Sequence, residues 1–163
     1  NRDSVDGFDL TGNDLYRVAI EFSDLFNYLE GHPTGTAEQM AGLMYEPDYP
    51  YWDKIVANFE ELTSHPGWHY ADAGIRTLGI EVLELSDTTA RVVYVEDRDV
   101  QLIRDADDVV VREYLGWDPE LTTYILRRGD DGQWRIVDLE PTRPATDEDI
   151  ASLVPVDWTG RRL

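Results

Sequence analysis

Hydrophobic positions along this chain change period part-way through, and the change divides it into a helical half and a stranded half. Leu15, Val18, Ala19, Phe22, Leu25, Phe26 and Leu29 recur at three- and four-residue intervals with acids between them, the spacing of one face of a helix. Thr11 is the expected N-cap with Asp14 three residues on, and Gly31-His32-Pro33 is the expected stop. A second helix is predicted from Ala37, Met40, Leu43 and Met44, opened by a Thr36/Gln39 capping box. After Pro47 and Pro50, a third stripe runs through Tyr51, Trp52, Ile55, Val56, Phe59 and Leu62 and ends at Ser64-His65-Pro66-Gly67.

From Arg76 the period shortens to two. Ile80 and Val82 alternate with Glu81, and Ala90, Val92 and Tyr94 alternate with Arg91 and Val93. Further β-rich runs cover Val109 to Tyr114, Leu121 to Arg127 and Gln133 to Leu139. The turns between them are Ser86-Asp87-Thr88, Asp105-Ala106-Asp107-Asp108, Gly116-Trp117-Asp118-Pro119 and Asp130-Asp131-Gly132. Short connections predict antiparallel pairing, hence one β-meander from Arg76 to Leu139. Asn1 to Leu10 is polar and reads as an arm or linker. The segment after Pro141 reads as an extension, with a short helix from Thr146 to Leu153 capped by Thr146 and Asp149.

Three helices before a long antiparallel sheet define an α+β fold of three N-terminal helices packed on a curved sheet of four to six strands. The last hairpin, Gly132-Gln133-Trp134-Arg135-Ile136-Val137-Asp138, and the strand before it, Thr122 to Arg128, resemble the NTF2-like (SnoaL, cystatin-like) superfamily. The resemblance covers roughly Thr11 to Leu139, giving an arm at 1–10, an NTF2-like domain at 11–140 and an extension at 141–163. It implies a sheet that wraps the helices into a cone, either open as a small-molecule pocket or filled and used for association. The chain also resembles actinobacterial extracytoplasmic lipoproteins of this superfamily, which implies a non-catalytic binding domain. The longer polar stretch Trp68 to Arg76 and the tail past Pro141 depart from the compact family pattern.

Composition narrows the chemistry. Fourteen basic residues stand against 34 acidic ones, a formal charge of −20. A field of that sign repels nucleic acid and anionic lipid, and favours solubility or a basic partner. Cysteine is absent, which removes disulfides, cysteine-metal sites and thiol nucleophiles. No apolar run approaches the roughly 20 residues of a membrane span. The chain begins at Asn1, and an extracytoplasmic protein, secreted or lipid-anchored through a removed leader, is the expectation. A homodimer or a protein partner fits the same reading.

No nucleophile elbow, P-loop or dinucleotide fingerprint is present. His65 and His69 are separated by Pro66-Gly67, which breaks the helical spacing of a histidine metal pair, so neither a metal nor a cofactor is expected. The acid runs at Glu96-Asp97-Arg98-Asp99 and Asp105-Ala106-Asp107-Asp108 read as solvated strand ends. If the chain is an isomerase or dehydratase of the SnoaL or ketosteroid-isomerase kind, the resemblance implies an Asp or His base facing a Tyr donor. The candidates are His69, Asp72, Tyr94 and Tyr114. For a ligand or partner the candidates are the aromatics Tyr51, Trp52, Trp68 and Trp134, which equally well pack helices onto the sheet.

Overall fold

A computed structural model of the protein describes residues 4–71, 75–98, 100–114 and 118–155. Helix α1 spans Leu15–Gly31 and buries the predicted stripe from Leu15 to Leu29. Its N-cap is Asp14, which accepts the Arg17 N–H, and not Thr11. The Thr11 backbone N–H and hydroxyl instead donate to Asp9, at 2.9 and 2.5 Å, so Thr11 is used up in a turn before the helix begins. Helix α2, Ala37–Gly42, has the full Thr36/Gln39 capping box. Helix α3, Trp52–Ser64, buries Val56, Phe59 and Leu62. Tyr51 is not part of that stripe: it is the residue before the helix and is 48% exposed.

The strands are β1 Trp68–Tyr70, β2 Ile75–Leu85, β3 Thr89–Arg98, β4 Val100–Arg104, β5 Val109–Tyr114, β6 Glu120–Arg128, β7 Trp134–Leu139, β8 Arg143–Pro144 and β9 Val154–Pro155, with helix α4, Asp147–Ser152, between the last two. They form two antiparallel sheets. The larger has the order β7-β6-β3-β2-β9, with β8 also on β6; the smaller is β1-β4-β5. The single meander expected from the sequence is therefore interrupted. The β4–β5 hairpin belongs to the smaller sheet, and β3 pairs with β6 across it, from Thr89↔Arg127 to Glu96↔Glu120. Register shifts at Thr77/Gly79, Val82/Glu84 and Ile125/Leu126 insert unpaired residues that bend and twist the sheet.

Both faces of the large sheet are covered. The inner face carries Ile80, Val92, Tyr94, Leu126, Trp134 and Ile136 against the helices. Two polar ties fix α1 there: Ser23 and Thr77 share a buried hydrogen bond of 2.7 Å, and the Tyr94 hydroxyl donates to the Ala19 carbonyl at 3.1 Å. The outer face carries Val93 and Val95. These pack with Leu153, and Leu78, Leu121, Ala145 and Ile150 surround them. The segment after Pro141 thus forms the outer layer of the sheet, held by β8 on β6 and β9 on β2. At the β6–β7 hairpin Gly132 has φ of 80°, a left-handed value that favours glycine, and Asp131 accepts the Gln133 N–H at 3.0 Å.

Candidate functional site

Strand β3 alternates its side chains, so Val93 and Val95 leave by the outer face while Tyr94 and Glu96 turn inward. Tyr124 on β6 stands edge-on to Tyr94, with ring centroids 5.3 Å apart and planes at 84°. The chain after α2 lays Met44 and Tyr45 along the free side of β7. The Ile136 N–H donates to the Met44 carbonyl at 2.8 Å, and the Glu46 N–H donates to the Ile136 carbonyl at 3.0 Å. Helix α1 supplies Phe22, Ser23 and Phe26 from the opposite wall. These residues and Ile136 enclose a partly open cavity of about 40 Å3, with Glu96 as its carboxylate. That is room for about three waters, whereas small-molecule sites begin at about 300 Å3.

The polar lining is phenolic. Burial pushes the Tyr45, Tyr94 and Tyr124 hydroxyls well above the usual tyrosine range, and the nearby Glu96 charge pushes the same way. Tyr49, tilted against Tyr45 at 4.8 Å, is raised for the same two reasons. At neutral pH these groups are hydrogen-bond donors beside a carboxylate. Such a set can polarise a carbonyl or hold a proton at an oxygen. Among the described residues, no three His, Asp or Glu side chains are grouped as metal ligands would be.

Of the four candidate catalytic residues, Tyr94 lines this cavity. His69 lies on β1 in the smaller sheet, where its Nδ1 is 2.5 Å from Asp105 Oδ1 in a partly exposed pair. Tyr114 ends β5 opposite Val100, also in the smaller sheet. Asp72 lies outside the described residues. The four candidate binding aromatics are spread over three elements. Tyr51 carries the Lys54 ammonium 5.2 Å from its ring, and Trp52 is half-buried at the start of α3. Trp68 stacks on His65 at 3.8 Å. Trp134 is fully buried: its indole N–H donates to the Gly12 carbonyl at 2.8 Å, and the Arg128 guanidinium lies 4.6 Å from its ring. The sequence places Tyr45 in a dense aromatic cluster fit to line a pocket, and it does line this one; Glu96 and Tyr124 were missed. For Glu96 a signal was available, because it lies two residues from Tyr94 on one strand and so shares its face.

No protein-family model matches the chain, and no curated protein matches it in sequence. Solved structures do match in shape. The intermembrane space region of the chloroplast protein ARC6 aligns with a TM-score of 0.51 at 11% identity, over 82% of this chain and 98% of that one. Aln2 from a Streptomyces species aligns at 0.50 and 15% identity, over 80% and 91%. ActVI-ORFA from Streptomyces coelicolor aligns at 0.50 and 15% identity, over 81% and 96%. At these identities the likeness is one of fold.

Proposed function

We propose that this chain, whose fold is NTF2-like and SnoaL-like, serves as a non-catalytic binding domain whose cone is a scaffold. The observation that carries the reading is the size of the space left inside. Trp134, Phe59, Leu15, Leu29, Met40 and Leu126 are fully buried, and what remains among Phe22, Phe26, Tyr45, Tyr94 and Tyr124 is about 40 Å3. An organic substrate of several carbon atoms does not fit there without moving the walls. The Tyr94 hydroxyl is also committed within the chain, to Ala19.

One arrangement favours a second reading, an isomerase or dehydratase of the SnoaL or ketosteroid-isomerase kind. Glu96 lines the same cavity as Tyr45 and Tyr124, two phenols that burial keeps protonated, which would supply a base and oxyanion donors. Proton exchange at the α-carbon of cyclic ketones and keto acids in deuterated water separates the two. A binding scaffold gives the same slow exchange for the wild type, for Glu96→Gln and for buffer. An enzyme loses about 10²-fold or more on Glu96→Gln, the usual worth of a general base, and that loss would overturn the scaffold reading.

A further inference from the structure

The larger sheet closes its edges with its own chain. It does so in part: the free side of β7 is bonded at Ile136 by Met44 and Glu46, the free side of β2 at Gly79 and Ile80 by β9, and the first residues of β6, beyond the end of β7, by β8. Strand β5 is different. It pairs with β4 on one side, and among the described residues no strand lies on the other. Val109, Val110 and Val111 are 42%, 42% and 39% exposed. Val109 and Val110, paired with Arg104 and Ile103, point to opposite faces, so both faces of this strand meet solvent. Three successive β-branched residues favour the extended backbone. An open strand edge is a template for another strand, which folds usually block with charged side chains, proline, a bulge or a cover. Val109–Tyr114 contains neither lysine nor proline; it has one bulge, where the register shift opposite Leu102/Ile103 leaves Val111 unpaired with β4.

The charge around this edge has one sign to spare. Residues 104–114 hold two arginines and four acids. Both arginines are already matched within the chain. Arg104 donates to both Asp107 oxygens, at 3.0 and 2.8 Å, and Arg112 is ion-paired with Glu61 of α3. Asp108 is exposed at the start of the strand, and Glu113, which accepts from Gln101 at 2.6 Å, is exposed within it.

We propose that β5 is a docking edge that takes an extended, basic segment of a partner protein as an added strand. Backbone hydrogen bonds supply the register, the valines supply apolar contact on both faces, and the unmatched acids select a cationic sequence. A second copy of the chain is the wrong occupant, because it presents the same acids and adds another charge of −20. This inference deepens the binding-domain reading and rests on it. The ketone-exchange assay interrogates the cone and the experiment below interrogates the edge, so either can fail alone.

The probe is a synthetic peptide alternating lysine and valine, with a glutamate–valine peptide as control, added to the full chain. The lysine peptide is expected to bind, to slow hydrogen exchange at the amides of residues 109–114, and to lose about tenfold or more in affinity from low to high salt as its charges are screened. The Gln101 carbonyl accepts from Ala71 on the β1 side and Ile103 shares its parity, so Val110, opposite Ile103, turns its N–H to the free edge, and Val110→Pro is expected to abolish binding. Asp108→Asn with Glu113→Gln leaves the backbone intact, since asparagine tolerates the φ of 54° at position 108. That pair is expected to weaken binding and flatten its salt dependence. Equal binding of the two peptides, no binding of the lysine peptide, or protection elsewhere overturns the proposal. So does a dimer whose β5 amides are protected without peptide, which would assign the edge to a second copy.

Discussion

Gly79 and Leu153 meet across the outer face of the sheet. A Cβ placed on Gly79 would stand 2.8 Å from the Leu153 Cβ and 3.3 Å from its Cδ1. Position 79 follows a register shift in β2 and is the residue that pairs with Pro155 of β9. The absence of a side chain there lets the C-terminal segment lie directly on the strand and bury Leu153 between Val93 and Val95.

Gly79→Ala therefore overpacks this seam. The expected loss of stability is about 1–3 kcal/mol, measured by urea denaturation. Because the nearest atom is the Leu153 Cβ, adding Leu153→Ala should not restore the loss. A full rescue by that second change would show that only the end of the leucine side chain was in the way.

Trp134 is held by burial, by its N–H bond to Gly12 and by Arg128 over its ring. Trp134→Phe removes the bond and part of the buried volume, while the exposed Gly12 carbonyl keeps Arg128 as a donor. The expected cost is about 1–3 kcal/mol, mostly from the lost buried volume. Equilibrium unfolding followed by circular dichroism checks it, and a cost below about 0.5 kcal/mol, the level of a neutral surface change, would contradict the role given to this residue.

The buried phenols make stability depend on alkaline pH. In the folded chain, Tyr45, Tyr49, Tyr94 and Tyr124 have affinities for their protons raised above those in the unfolded chain. Above about pH 10, the ordinary tyrosine value, the native state binds more protons than the unfolded one, so stability falls as pH rises. Below that value the contribution is fully present. Phenolate absorbance followed together with circular dichroism is expected to show these four groups ionising only as the fold is lost. Ionisation of all nine tyrosines in a chain that stays folded would contradict it.

At the acid end, Asp149 works in the opposite sense. Arg143 donates to both its oxygens at 2.7 and 2.9 Å, and the Thr146 N–H adds a third bond, which together hold the carboxyl below its usual range. The pairing is present above about pH 4, the unfolded carboxylate value, and is lost as pH falls towards the folded one. Protection of the α4 amides relative to their intrinsic exchange rate should fall on acidification, and Asp149→Asn should produce the lowered protection at neutral pH. Unchanged protection in that variant would show that α4 is held by Leu153 alone.

Local signals in the sequence were dependable where the partners are neighbours. The capping boxes at Thr36/Gln39 and Thr146/Asp149 and the turn at Gly132 each need only three or four residues to declare themselves. Competition between such signals caused the misplaced helix start: Thr11 and Asp14 are both good caps, and Asp9 claims the first. What the sequence could not show are contacts between distant segments. The pairing of β3 with β6 across a separate hairpin, the His69–Asp105 pair and the seating of Leu153 on Gly79 all depend on register, and register depends on bulges that no single residue announces. Glu96 lay in a run of charges that resembled a solvated strand end, yet its parity with Tyr94 placed it in the cone.

The pairing of β9 with β2 also has a consequence for synthesis. Gly79 and Ile80 bond to Pro155 and Val154, so the outer edge of β2 has to wait for residues made about 75 positions later. A chain emerging from the ribosome passes through a period in which its helices and much of its sheet are exposed to the cell but that edge is bare, a form open to pairing with other nascent chains. Chains truncated before residue 153 should keep that form permanently, and recruitment of chaperones by such chains, but not by longer ones, would be its cellular signature.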